Sequence, residues 1–172
     1  MLSPDLASLI LLQFCDAIAA GSAPICVGVN ARKALEPLNC YNNVDTVIAQ
    51  EGGKAIVGWH LTEWPGLFME AEPHAVWMRP DGELEDPTPH QQGHRSIVFL
   101  RDPTINPWNP RPNERCFQNT SPVLRQFIDA QWDLRRAVER QSGDASRLKK
   151  RAERLRHALE MRFGTEPLPC TK

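Results

Sequence analysis

The sequence predicts an α+β fold: N-terminal helices, a central antiparallel sheet and a C-terminal helical hairpin. Three observations predict it. Apolar residues recur at helical spacing near both ends, in Leu6, Leu9, Ile10 and Phe14 and again in Val123, Phe127, Ile128, Leu134 and Val138. Between residues 54 and 100 the pattern changes to short β-prone runs separated by proline and glycine turns. The chain has 172 residues, 41% of them hydrophobic and 24% charged, which is the make-up of a globular protein with a real core. The expected organisation is a core over residues 1–120, followed by a helical hairpin and tail over 121–172 that pack on the core or extend from it.

In chain order, Ser3 and Pro4 form a cap-plus-proline helix start, and the first helix is expected to reach about Ala20, with Gly21 as its stop. A small-residue loop follows, and residues 31–38 show no clear period. A second, short helix is expected with Cys40 near its beginning and Gly52-Gly53 at its end. Residues 55–61 read as a strand, Trp64-Pro65-Gly66 as a turn and Leu67-Phe68-Met69 as the start of another strand. His74 to Met78, the turn Arg79-Pro80-Asp81-Gly82 and Glu83 to Asp86 make a hairpin, and Ser96 to Leu100 adds a further strand. Residues 102–120, rich in proline, read as a linker or ordered loop. Ser121-Pro122 repeats the helix-start signal. The helix it opens runs to about Gln141, and Ser142-Gly143-Asp144 separates it from a last helix that ends at Gly164. A break so short folds two helices back as an antiparallel pair.

Charge and cysteine content exclude several classes. The net charge of −1 offers no general attraction for nucleic acid or an anionic membrane. The distribution is uneven: residues 123–164 carry eleven lysines and arginines against six acids, the remainder nine against fifteen. The basic run of Arg147, Lys149, Lys150, Arg151, Arg154 and Arg156 is interrupted by Glu153 and lacks interleaved aromatics, so a solvated helix face is expected rather than a nucleic-acid site. The apolar stripe of the same helices, within residues 122–163, suits a partner helix or self-association. Five cysteines without a CxxC pair argue against a zinc knuckle or disulfide framework. The apolar run from Leu6 to Ala20 has no basic segment before it and is accompanied by Asp5 and Asp16, so it reads as a helix rather than a secretion signal. No stretch approaches the roughly 20 apolar residues of a membrane helix. A cytoplasmic protein is the expectation.

The chemistry-bearing residues lie in the middle of the chain. A thiol gains thiolate character beside an imidazole and at the positive end of a helix, and Cys40 has a polar setting at a helix start. Cys15 and Cys26 stand in apolar surroundings. The Arg79–Gly82 turn suits a type I turn with a glycine bulge, pairing Arg79 with Glu83. Even-numbered residues then share a face. Val76 falls opposite Asp86, which makes His74 and Asp86 diagonal neighbours on that face, roughly 7–8 Å apart at their α-carbons. An aspartate so placed fixes the tautomer of the ring and steadies the imidazolium, and the other ring nitrogen takes the thiol proton.

His74-Ala75-Val76-Trp77, Asp81-Gly82-Glu83-Leu84 and Asp86-Pro87-Thr88-Pro89, preceded by Cys40, resemble the His/Asp hairpin of transglutaminase-like proteins within the papain-like superfamily. The resemblance covers about residues 38–90. It implies a nucleophile at Cys40, a general base and acid at His74 and an orienting carboxylate at Asp86. The implied function is a cysteine-dependent hydrolase or acyl transferase that opens an amide, isopeptide or ester of a protein or peptide-like substrate through a thioester, with no cofactor. Candidate oxyanion donors are the Cys40 backbone N–H, Asn39 and Asn43. Trp59 and Glu72 are candidate substrate contacts, while Trp77 alternates away from His74 and is expected beneath a helix.

Two rival readings carry other functions. One is a catalytically inactive papain-like scaffold that binds proteins. The other is a metal site drawn from His60, His74, His90 and His94 with Asp86 and Glu72, although none stands at a recognised ligand spacing and no metal ligand is expected under the thiol reading.

Overall fold

The structure, a computed structural model, describes residues 1–90, 93–109 and 111–164; the expected tail beyond them lies outside the described residues. The elements are α1 (Leu9–Ile18), β1 (Pro24–Val29), α2 (Cys40–Glu51), β2 (Lys54–Trp64), β3 (Phe68–Met78), β4 (Leu84–Asp86), β5 (Ser96–Arg101), β6 (Glu114–Phe117), α3 (Pro122–Glu139) and α4 (Ala145–Phe163). They build an α+β chain of two compact units. A sheet unit holds residues 2–63 and 69–116, and a helical unit takes 64–68 together with 117–164.

In the sheet unit the strand order is β2-β5-β1-β4-β3-β6, and β2 also pairs with β3, so five strands close into a ring with β6 beside β3. Closure leaves few open edges. Side chains alternate across each strand, so one parity faces into the ring and the other faces out. Val27, Ile56, Val76, Ile97 and Phe99, with Leu84 beside them, fill the inside. Outside, α1 packs Leu11 and Phe14 against Trp59, Leu61, Met69 and Leu100. The second helix lays Val44 and Val47 on Ala75 and Trp77, as expected for Trp77. Each such side chain, fully buried, contributes roughly 1.5–3 kcal/mol. The junction between α2 and β2 demands glycine: Gly53 has φ +85°, and a Cβ there would collide with the Met78 carbonyl oxygen.

Three expectations are corrected. The sheet is mixed rather than antiparallel, because β1 runs parallel to β4 while β1–β5, β2–β5 and β3–β4 are antiparallel. That parallel partner is the segment read as a small-residue loop, where Ile25, Val27 and Val29 alternate with residues too small to mark a strand. The first helix begins at Leu9 rather than at Ser3-Pro4, capped by the Ser8 hydroxyl, which accepts from the Leu11 N–H at 3.5 Å. Two backbone bonds of 2.8 Å between Leu2 and Glu63 hold the preceding residues extended beside β2, which outweighs the local cap signal. Finally, β6 lies within the stretch read as a loop.

In the helical unit, Ser121 caps α3 by accepting from the Leu124 N–H at 3.3 Å, with Pro122 in the first turn. Leu124, Phe127 and Ile128 of α3 and Leu159 of α4 form one core with Trp64, Leu67 and Phe68, which is why the β2–β3 turn belongs with the helices. The pair is antiparallel as expected, since Leu124 packs near Leu159 while Asp133 meets Arg151 at 3.6 Å. The basic face of α4 is laced with acids: Arg147 pairs with Asp144 at 3.2 Å and Arg156 with Glu160 at 2.8 Å.

Candidate active site

The site starts from the turn between β3 and β4. The Gly82 N–H donates to the Arg79 carbonyl and the Arg79 N–H to the Glu83 carbonyl, both at 2.9 Å, with Gly82 at φ +90°. Trp77 stands opposite Glu85 and Met78 opposite Leu84, the register that the turn predicts. His74 and Asp86 therefore share the inner face, and the His74 Nε2–H donates to Asp86 Oδ2 at 2.8 Å. Both are buried. The other carboxylate oxygen, Oδ1, accepts from the Thr88 N–H at 2.9 Å.

With Nε2 committed to Asp86, the second nitrogen of the ring is Nδ1. The side chain of Cys40, the first residue of α2, stands beside the His74 ring and helps to hold its proton. Asn43, one turn on, ties this helix start in place: its amide donates to the Glu36 carbonyl at 2.8 Å and to the Thr88 hydroxyl at 3.3 Å. The first helical bond is Asn43 N–H to Asn39 carbonyl, so the N–H groups of Cys40, Tyr41 and Asn42 precede the intrahelical ladder.

Burial works against a charged His74, but the hydrogen bonds with Asp86 and Cys40 and the Asp86 charge outweigh it and raise the ring to about 10. For Asp86 the signs reverse. Burial would raise its carboxyl, yet hydrogen bonds from His74 and from a second imidazole hold it well below the usual carboxylate range. That second imidazole is His90, whose Nε2–H donates to the same Oδ2 at 2.7 Å.

Around this centre lies a group of rings. His60 stands opposite Phe99 on the inner face, with its ring centroid 5.6 Å from His74, 5.2 Å from His90 and 6.4 Å from His94. Burial, then the neighbouring His74 and His90, press His60 down to about 3.

The other sequence-derived candidates are distributed differently. Trp59 is not at the site: it faces out of the ring, fully buried, and donates to Asp102 Oδ2 at 3.0 Å. Asn43 is a brace rather than a free donor. Asn39 caps α2 without a side-chain cap bond and accepts from the Asn42 amide at 2.7 Å. Glu72 has the parity of His74 but is exposed; burial, then Cys40 and Glu72 nearby, push the Tyr41 phenol up. Thr88 and His90 escaped the thiol reading, although Asp86-Pro87-Thr88-Pro89-His90 places a donor and a ring within four residues of the carboxylate. The buried Tyr41 hydroxyl, without a hydrogen-bond partner among the described residues, is a further polar group beside Cys40 in sequence.

No family model matches this chain, and no curated protein or solved structure matches it. Among the described residues no helix is long and apolar enough to cross a membrane. The molecule is thus an α+β protein in which a sulfur stands beside an imidazole that is hydrogen-bonded to a carboxylate.

Proposed function

We propose that this chain is a cysteine-dependent hydrolase or acyl transferase with a papain-like or transglutaminase-like core, acting on an amide, isopeptide or ester carbonyl of a protein or peptide-like substrate. One observation carries the reading: a single buried ring, His74, is bonded through Nε2 to Asp86 at 2.8 Å and has the Cys40 side chain beside it. Because the His74 ring holds its proton at neutral pH, the sulfur, its proton already passed to Nδ1, adds to the carbonyl carbon in the first step. The imidazolium, steadied by Asp86, then protonates the leaving nitrogen or oxygen as its bond to carbon breaks, leaving a thioester. Water or an amine, deprotonated by Nδ1, attacks that thioester and restores the thiol. The backbone N–H groups at the start of α2 are suited to the developing oxyanion, since they lie outside the helical ladder and at its positive end.

The test is acyl trapping. Incubation with activated esters and short peptide amides is expected to leave a hydroxylamine-labile acyl group on Cys40 by mass spectrometry, absent in Cys40→Ser. A folded protein that forms no adduct across the panel would favour the binding-scaffold reading.

A further inference from the structure

Thiol chemistry uses one of the four clustered imidazoles, His74, and that ring also stands with His90 and Asp86 in the arrangement of a cation site. One ligand atom from each of His74, Asp86 and His90 lies within 4.8 Å of the others. Two are ring nitrogens directed at one carboxylate oxygen, at 2.8 and 2.7 Å. A tetrahedral zinc with legs of about 2.0–2.2 Å spaces its ligand atoms by about 3.3 Å, so the two N···O spacings need to open by about 0.5 Å to admit the ion. Two neutral imidazoles and a carboxylate are the mixed N/O donor set that divalent zinc and iron take. His60, buried and with its ring 5.2–5.6 Å from both histidines, supplies a third imidazole beside them.

We propose that His74, Asp86 and His90 bind a divalent transition ion of the zinc class, and that this ion switches the thiol chemistry off. The inhibitory half rests on the thiol reading; the binding half does not. The reason for exclusion is the proton count of one ring. An ion can bind Nε2 of His74 only through its lone pair, so the Nε2 proton leaves and the ring keeps its remaining proton on Nδ1. Nδ1 then has no lone pair for the Cys40 proton, and giving up its own would leave an imidazolate. Asp86, engaged by the ion, no longer steadies an imidazolium. Metal and substrate chemistry therefore compete through the two nitrogens of one ring, the ion at Nε2 fixing the proton on Nδ1.

The experiment is a zinc titration of the chelator-stripped full chain by calorimetry, run beside the rate of Cys40 alkylation by iodoacetamide. One zinc per chain is expected in the wild type and in Cys40→Ser, with affinity lost at least tenfold in His90→Asn and kept in His90→Cys, which retains a ligand. Zinc is expected to slow alkylation of Cys40 in the wild type and to leave it unchanged in His90→Asn. Absence of stoichiometric binding overturns the site, and so does full binding by His90→Asn. Loss of binding in Cys40→Ser overturns the ligand set. Zinc that binds without slowing a reactive Cys40 overturns the switch. If Cys40 is unreactive even without metal, the thiol reading fails while the titration still decides the site.

Discussion

Two buried aspartates on this sheet unit have opposite surroundings. Asp86 ends β4 on the inner face and receives two imidazole N–H groups and one backbone N–H. Asp102 follows β5 and receives the Trp59 indole at 3.0 Å, the Thr104 N–H at 2.9 Å and the Thr104 hydroxyl at 2.6 Å, with Arg111 at 3.9 Å. Burial opposes the charge of both, and hydrogen bonds hold both carboxyls below their usual value. The difference lies in the donors. Around Asp102 the hydrogen-bonded donors are neutral and fixed, and a local turn plus one indole account for the carboxylate. Around Asp86 the side-chain donors are imidazoles, one of which, His74, titrates and has a sulfur beside it. A buried acid alone is a structural statement; a buried acid whose partners titrate is a chemical one.

Breaking each aspartate separates the two roles. In chelator-treated protein, His74→Ala is expected to slow Cys40 alkylation at pH 7 on the order of a hundredfold and Asp86→Asn at least tenfold, as expected for loss of a base and of its orienter. Asp102→Asn should leave the rate within about twofold while lowering stability. Equal effects of the two Asn variants, measured by mass spectrometry of the alkylated peptide, would erase the distinction.

Stability against pH sharpens it further. His74 is raised when folded, so its contribution is complete below the ordinary histidine value of 6.5 and is lost as pH rises towards about 10. His60 is lowered from 6.5 to about 3, so the unfolded chain takes that proton first and stability falls as pH drops across that interval. Asp86 and Asp102, both lowered, contribute above 3.8 and lose their contribution only as pH falls below it. Metal-free protein should therefore be most stable near pH 6.5, with each titrating ring changing stability by up to about 1.4 kcal/mol per pH unit. Thermal midpoints across pH 3–10 test this, and His60→Phe should remove much of the decline as pH falls from 6.5 to about 4.

The smallest effects belong to the Asp102 side. Trp59→Phe keeps the ring but removes one donor from a buried carboxylate, and urea unfolding should show a loss of about 1–3 kcal/mol. Thr104→Val should cost about 1 kcal/mol, and neither change should alter Cys40 reactivity.

Much of this contrast was legible in the sequence because it rests on local rules. The Arg79–Gly82 turn sets the hairpin register, and the period of two then places His74 and Asp86 together and Trp77 away from them. The glycine pair after Glu51 and the Ser121-Pro122 start likewise mark helix ends through backbone chemistry alone. What was not legible depends on strands remote in sequence. β1 is a short strand whose partners lie near residues 85 and 98, so nothing nearby reveals it or its parallel pairing with β4. Trp59 looked available to a substrate because its parity relative to His74 follows from how β2 pairs, not from its own neighbours. The gathering of His60, His90 and His94 has the same origin: ring closure brings β2 and the loop after β4 to one face, while in the chain His60 and His90 are thirty residues apart.

The most direct measurement compares two thiols in one molecule. Cys26 is exposed and Cys40 buried, so exposure alone predicts that Cys26 alkylates first. The account predicts the reverse at pH 7 in metal-free wild-type protein, with the order restored to Cys26 first in His74→Ala. Cys26 leading in the wild type, or an unchanged order in His74→Ala, would contradict it.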